Sequence, residues 1–128
     1  MNNRAIPALA SVLALLHASA ATAAPPAQAS AAKAYVVGEF TIKDRAAYDQ
    51  FKSKIGPVVK QYGGRYLVRN GRLGTFDGAL PAGPVVVIEF DSFAAASAFE
   101  QSRENREVAP LRHKASKSRI FIVEGVAP

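Results

Sequence analysis

The feature that most constrains this chain is a set of strand-like segments that are apolar on both sides, joined by too few helices to cover both. Tyr35–Ile42, Val85–Phe90 and Arg119–Glu124 are rich in β-branched and aromatic residues and alternate with a period of two. One alternation set reads Val36, Gly38, Phe40, Ile42, then Val86, Ile88, Phe90, then Phe121 and Val123. It contains no acid and is expected to face the helices. The other reads Tyr35, Val37, Glu39, then Val85, Val87, Glu89, then Ile120, Ile122 and Glu124. That set puts six large apolar side chains on an uncovered face. At roughly 1.5–3 kcal/mol for each side chain buried, leaving them wet forfeits on the order of 10 kcal/mol, about the whole stability of a small domain. The expected remedy is a homodimer with the two sheets face to face.

The segments between the strands supply the helices. Tyr48, Phe51, Ile55, Val58, Val59 and Tyr62 recur at helical spacing after Asp44, an acceptable N-cap. Gly56-Pro57 is expected to kink this helix, and Gly63-Gly64 to end it. Arg65–Arg69 reads as a second strand, with Asn70-Gly71 as a tight turn and Leu73–Phe76 as a short returning ribbon. A Gly/Pro-rich loop, Gly78–Pro84, then leads into the third strand. Ser92 caps a helix carrying Ala95, Ala96 and Phe99, and Ser102 caps a more basic one carrying Val108, Leu111 and Ala115. Strand, helix, strand, strand, helix, strand predicts an α+β fold: a ferredoxin-like βαββαβ antiparallel sheet with its helices on one face.

The first residues read as an address. Arg4 precedes an uncharged Ala/Leu-rich stretch, and Ala21-Thr22-Ala23 offers the small-x-small pattern of a signal-peptidase site. Residues 1–23 are therefore expected to be a signal peptide, 24–33 a flexible leader, and 34–126 the domain. The apolar centre, about Ala8–Leu16, is too short for a permanent span, so no stable membrane insertion is expected after cleavage. The expected location is periplasmic or secreted. Cleavage leaves fifteen basic and ten acidic residues and one histidine, His113. The chain has no cysteine, which excludes disulfides, thiolate metal sites and thiol catalysis. No ligand spacing points to a metal, and no cofactor is expected. The basic stretch Arg103–Arg119 lacks interleaved aromatics and reads as a solvated helix face rather than a nucleic-acid surface.

Several stretches resemble the family named domain of unknown function 1330 (DUF1330), of the dimeric α/β barrel superfamily: AYVVGEFTIKDRAAYDQF, QYGGRYLVRNG, VVVIEFDSFAAASAF, the Leu111-Arg112 pair and IFIVEG. GGRYLVR is the most specific. The resemblance covers about Ala34–Val126 and implies a ferredoxin-like protomer dimerising through its sheets. It implies no activity, although the superfamily includes cofactor-independent monooxygenases of aromatic compounds and haem-degrading enzymes. The chain departs from the resemblance at three places. Gly78-Ala79-Leu80-Pro81 lacks a tryptophan, Ser102-Arg103-Glu104-Asn105 has Asn105 in place of a tyrosine, and Phe51 replaces a second tyrosine.

Candidate chemistry follows from the strands and helices. Glu39, Glu89 and Glu124 share an alternation set and, on adjacent strands against Val, Ile and Tyr, could exchange protons. The alternative is that they pair with arginines. Arg65 and Arg69 are expected on one face of the second strand, as forked donors for an anion or for the glutamates. Arg112 matches the resemblance and is a pocket candidate; His113 beside it is a candidate base. The expected function is a homodimer binding a small organic molecule, anionic or aromatic, in a cleft between sheet and helices, through Tyr48, Arg69, Glu89 and Arg112. Two alternatives stand beside it: a cofactor-independent monooxygenase-like or isomerase-like enzyme in which a glutamate moves a proton, and a non-catalytic structural or interaction module.

Overall fold

Three short polar side chains start the three helices. Asp44 Oδ1 accepts from Ala47 N at 3.0 Å, Ser92 Oγ from Ala95 N at 3.0 Å, and Ser102 Oγ from Asn105 N at 3.1 Å. The computed structural model describes residues 32–128. The predicted signal peptide, and the leader as far as residue 31, lie outside the described residues. In order, the elements are β1 (Ala34–Ile42), α1 (Arg45–Gln61), β2 (Arg65–Arg69), β3 (Val85–Phe90), α2 (Phe93–Glu100), α3 (Arg103–Ala115) and β4 (Ser116–Glu124). The strands form one antiparallel sheet in the order β2-β3-β1-β4, the ferredoxin-like α+β arrangement, with the second helical segment divided at Ser102. None of the described helices is long and apolar enough to cross a membrane.

α1 continues through Gly56-Pro57 as a single helix and ends where Gly63 turns into the left-handed region. Gly64 follows because the chain there passes tight against the core. A Cβ on it would stand 2.8 Å from both the Phe90 ring and Val59. Asn70 takes a positive φ after β2, but the chain only bends there and does not close the tight turn expected at Asn70-Gly71. Leu73–Phe76, however, forms no strand. β2 lies at the edge of the sheet and pairs only with β3 among the described residues, yet residues 71–80, exposed throughout, do not return along its outer side. β4 begins three residues earlier than expected. Ser116, Lys117 and Ser118 pair with Ile42, Thr41 and Phe40, a polar extension invisible to hydrophobic alternation.

Cross-strand partners share a face of a sheet, and this corrects the phase of β4. Val36 lies opposite Ile88 and Ile122, and Gly38 opposite Val86 and Ile120. Ile120 and Ile122 therefore join the helix side, while Phe121 and Val123 turn to the open side at 43% and 46% exposure. Glu124 pairs with Ala34 and leaves the set that holds Glu39 and Glu89. β2 contains a second departure. Arg65 is opposite Glu89 and Tyr66 opposite Ile88, but the register slips at Leu67, and Arg69 comes opposite Val86. This bulge places Arg65 on the open side and Arg69 on the helix side, so the two arginines do not share a face.

The helix side is filled by an aromatic core. Phe40, Tyr48 and Phe51 pack within 5.6–6.1 Å of one another, and Phe90 stacks on Phe99 at 5.3 Å. α1 and α3 are tied together at both ends. Tyr62 donates to Glu104 Oε2 at 2.9 Å, and the Ala115 carbonyl accepts from Lys43 N and Asp44 N at 2.8 and 3.0 Å.

Candidate functional site

A partly enclosed cleft of about 60 Å³ remains between the sheet and the helices. By that volume it has room for a few waters or a compact organic group. Val36, Phe40, Val86, Ile88 and Ile120 form its apolar floor around Gly38. A Cβ on Gly38 would approach the Phe40 ring to 2.8 Å, so this glycine keeps the floor open. α1 contributes Tyr48, Phe51 and Ile55 to the walls.

The polar groups are Lys52 from α1, Arg69 from β2 with Asn70 after it, Arg112 and Asn105 from α3, and Glu100 from α2, the one carboxyl among the described lining residues. Arg69 stacks its guanidinium 4.5 Å over the Tyr66 ring, and Lys52 lies 5.2 Å over Tyr48. Arg112 sits near the end of α3, where its carbonyl accepts from Ser116 Oγ at 3.0 Å. Its Nε is buried and has no hydrogen-bond partner among the described residues. Leaving such a donor unmatched costs on the order of 1–3 kcal/mol, more for a charged group. Arg112 lines the cleft as well, and its guanidinium fork suits an anion there.

Asn105 is buried and clamps the α2–α3 junction. Its Nδ2 donates to the Phe99 carbonyl and to Glu100 Oε2, each at 3.3 Å. Burial pushes the Glu100 carboxyl above its ordinary value, against the lowering effects of Arg112 and of the Asn105 hydrogen bond. Burial likewise raises Tyr48, opposed by the charges of Arg45 and Arg69, and Tyr66, opposed by Arg69.

Of the residues singled out from sequence, Tyr48, Arg69 and Arg112 come together in this cleft. The others are elsewhere. Glu89 is paired with Arg65, and Glu39 with Arg119 Nη2 at 2.8 Å, both on the open face. Glu124 is exposed at the end of β4. His113 is exposed, its Nε2 3.5 Å from Arg112 Nη2, on a shallow basic hollow shared with Lys43 and Lys117. Sequence reasoning missed Lys52, Tyr66 and Glu100 and treated Asn105 only as a departure. Helical spacing held a signal for Glu100: it lies four residues after Ala96, which is fully buried. Among the described residues no cluster of three or more metal-ligating side chains occurs.

The family model described as "Domain of unknown function (DUF1330)" matches residues 33–126. None of the curated proteins matches the sequence. Among solved structures, a protein of unknown function from Rhodopseudomonas palustris aligns with a TM-score of 0.59 at 19% identity, covering 76% of this chain and 85% of that one. A dimeric ferredoxin-like protein of unknown function from Jannaschia gives 0.52 at 11% identity, over 72% and 98% of the two chains. A dimeric protein of unknown function with a ferredoxin-like fold from Bacteroides fragilis gives 0.50 at 12% identity, over 72% and 95%. At these identities the likeness is one of fold alone.

Proposed function

This chain belongs to the DUF1330 family, whose description assigns no activity, and on that premise we propose that it is a homodimer binding a small organic anion in the cleft between sheet and helices. The observation that carries the reading is Arg112, which lines an apolar cleft with Arg69 and Lys52 and whose buried Nε has no partner among the described residues. A carboxylate matches a guanidinium fork, and apolar walls accept the remainder of a small organic acid.

Dimerisation is supported by the open sheet face, where Phe121 and Val123 stand exposed beside Tyr35, Val37, Val85 and Val87. The apolar patch is flanked by the Arg65–Glu89 and Arg119–Glu39 pairs. Its likeness in fold to two dimeric proteins supports the same reading. We place the mature protein in the periplasm or outside the cell, on the signal-like pattern of residues 1–23.

The test is a thermal-shift titration with pyruvate and benzoate, in which a ligand present at about 100 times its Kd stabilises the fold by about 2.7 kcal/mol. The wild type and Glu89→Gln are expected to shift alike, and Arg112→Met not at all. No shift with any small carboxylate, or an equal shift in Arg112→Met, would overturn the reading. A gel-filtration mass equal to the monomer would remove the dimer. In that case the interaction-module alternative would claim the open face instead.

A further inference from the structure

The geometry points to a proton-transfer activity in the same cleft: Glu100 acts as general acid–base on a small 2-oxo acid held by Arg112 and Arg69, interconverting its keto and enol forms. This rests on the anion-binding reading and adds a reaction to it. Three observations combine. Glu100 is the one carboxyl lining the cleft, and it comes from α2, while the cations come from α1, β2 and α3. Asn105 Nδ2 holds Glu100 Oε2 at 3.3 Å, which fixes the carboxyl without neutralising it. Arg112, whose Nε is buried and unmatched among the described residues, lines the same cleft.

A substrate suited to such a site carries one carboxylate for the guanidinium and one acidic C–H next to a carbonyl for the base. It must also be compact enough for a volume of about 60 Å³. Small 2-oxo acids meet all three conditions. The Glu100 carboxylate takes a proton from the carbon next to the ketone. The C–H electron pair becomes the new C=C bond, and the carbonyl π pair moves onto oxygen. The charges of Arg69 and Arg112, which line the cleft without a salt-bridge partner among the described residues, stabilise the enolate oxygen. Protonated Glu100 then returns the proton, to oxygen to give the enol or to carbon to restore the ketone. Atoms and electrons balance with no oxidant, metal or cofactor. The groups facing Glu100 favour this role together. Apolar walls and burial keep the carboxyl within reach of its protonated form, and Arg112 opposes them enough to allow the carboxylate. Tyr48 and Tyr66 are held neutral by the same burial.

The experiment follows pyruvate and 2-oxobutyrate by proton NMR in D2O, with the full-length mature protein at near-neutral pH. The expected result is loss of the C3 proton signals on the order of 100-fold faster than in buffer, the scale of general acid–base catalysis. Glu100→Gln, close in shape to the protonated acid, is expected to return exchange to the buffer rate while pyruvate still shifts the melting temperature. Melting shifts without exchange in the wild type would overturn the proton transfer and leave anion binding standing. Exchange unchanged by Glu100→Gln would overturn the assignment of Glu100. Absence of both exchange and melting shift would overturn binding and reaction together. Should Glu100→Gln fail to fold, the wild-type pH–rate profile decides. A rise through one ionisation supports a carboxylate base, and a flat profile overturns it.

Discussion

On the helix side of the sheet, the one carboxyl among the described lining residues lies beside apolar walls and Arg69 and Arg112, which form no salt bridge among the described residues, while Lys52 is paired with Asp49 at 2.9 Å. On the open side, two carboxyls lie beside arginines that are themselves largely in water. Glu100 is raised by burial, whereas Glu39 and Glu89 face Arg119 and Arg65 directly across neighbouring strands. The same residue types thus make two different things. Where guanidinium and carboxylate meet across an antiparallel ladder they pair and are spent structurally. Where half-buried Arg112, its Nε unmatched, lines a cleft with Glu100 without closing on it, both remain available to a third group. A charged pair on a strand face is therefore a poor guide to a site, and an unmatched buried donor a better one.

The largest expected effect that sharpens this contrast is in the core that carries the cleft. Phe90→Ala, under the stacked Phe99 ring, is expected to cost about 3–5 kcal/mol in denaturant unfolding. On the open face, Phe121→Asp is expected to leave the protomer folded by circular dichroism but convert the proposed dimer to monomer in sedimentation. Next comes Arg112→Met, expected to stabilise the ligand-free protein by on the order of 1 kcal/mol, since a buried unmatched donor is removed while volume is kept. The same change should abolish carboxylate binding, a gain in stability for a loss of function. A loss of stability instead would mean the guanidinium is satisfied and the contrast between the faces false.

Glu100→Gln gives a pH test whose sign is fixed. A carboxyl raised on folding contributes stability below its unfolded pKa, and this is lost as pH rises through the folded one. Relative to Glu100→Gln, the wild type is therefore expected to lose stability as pH climbs above about 4.5 and then to level off. Denaturation midpoints of the two proteins across pH check this; parallel curves would contradict it. Smallest of all, Arg119→Ala and Arg65→Ala are expected to change protomer stability by less than about 1 kcal/mol each, because both arginines are mostly exposed.

Much of this organisation was legible in the sequence, because the caps at Asp44, Ser92 and Ser102 and the periodic run from Tyr48 to Tyr62 specify helices locally. The helix-facing sets of β1 and β3 were legible for the same reason. β4 was not, because Ile120 and Ile122 are as apolar as Phe121 and Val123, and only its register against Gly38 and Val36 decides which pair turns inward. The separation of Arg65 from Arg69 depends on one slipped residue at Leu67, a bulge that strand periodicity does not encode. Of the cleft, Tyr48, Arg69 and Arg112 were identifiable as aromatic and basic residues on the right elements. Glu100 was passed over because an acid at the end of an apolar helix reads as an exposed terminus, although its spacing from buried Ala96 pointed inward. Its surroundings come from α3 and the sheet, distant in sequence.

The most direct measurement of the central claim, that the binding face is the covered one, is amide chemical-shift mapping of residues 24–128 titrated with pyruvate. The account predicts saturable shifts concentrated at Val36, Tyr66, Glu100, Asn105 and Arg112. Shifts centred on Val37, Val87, Glu89 and Phe121 instead, or none that saturate, would contradict it.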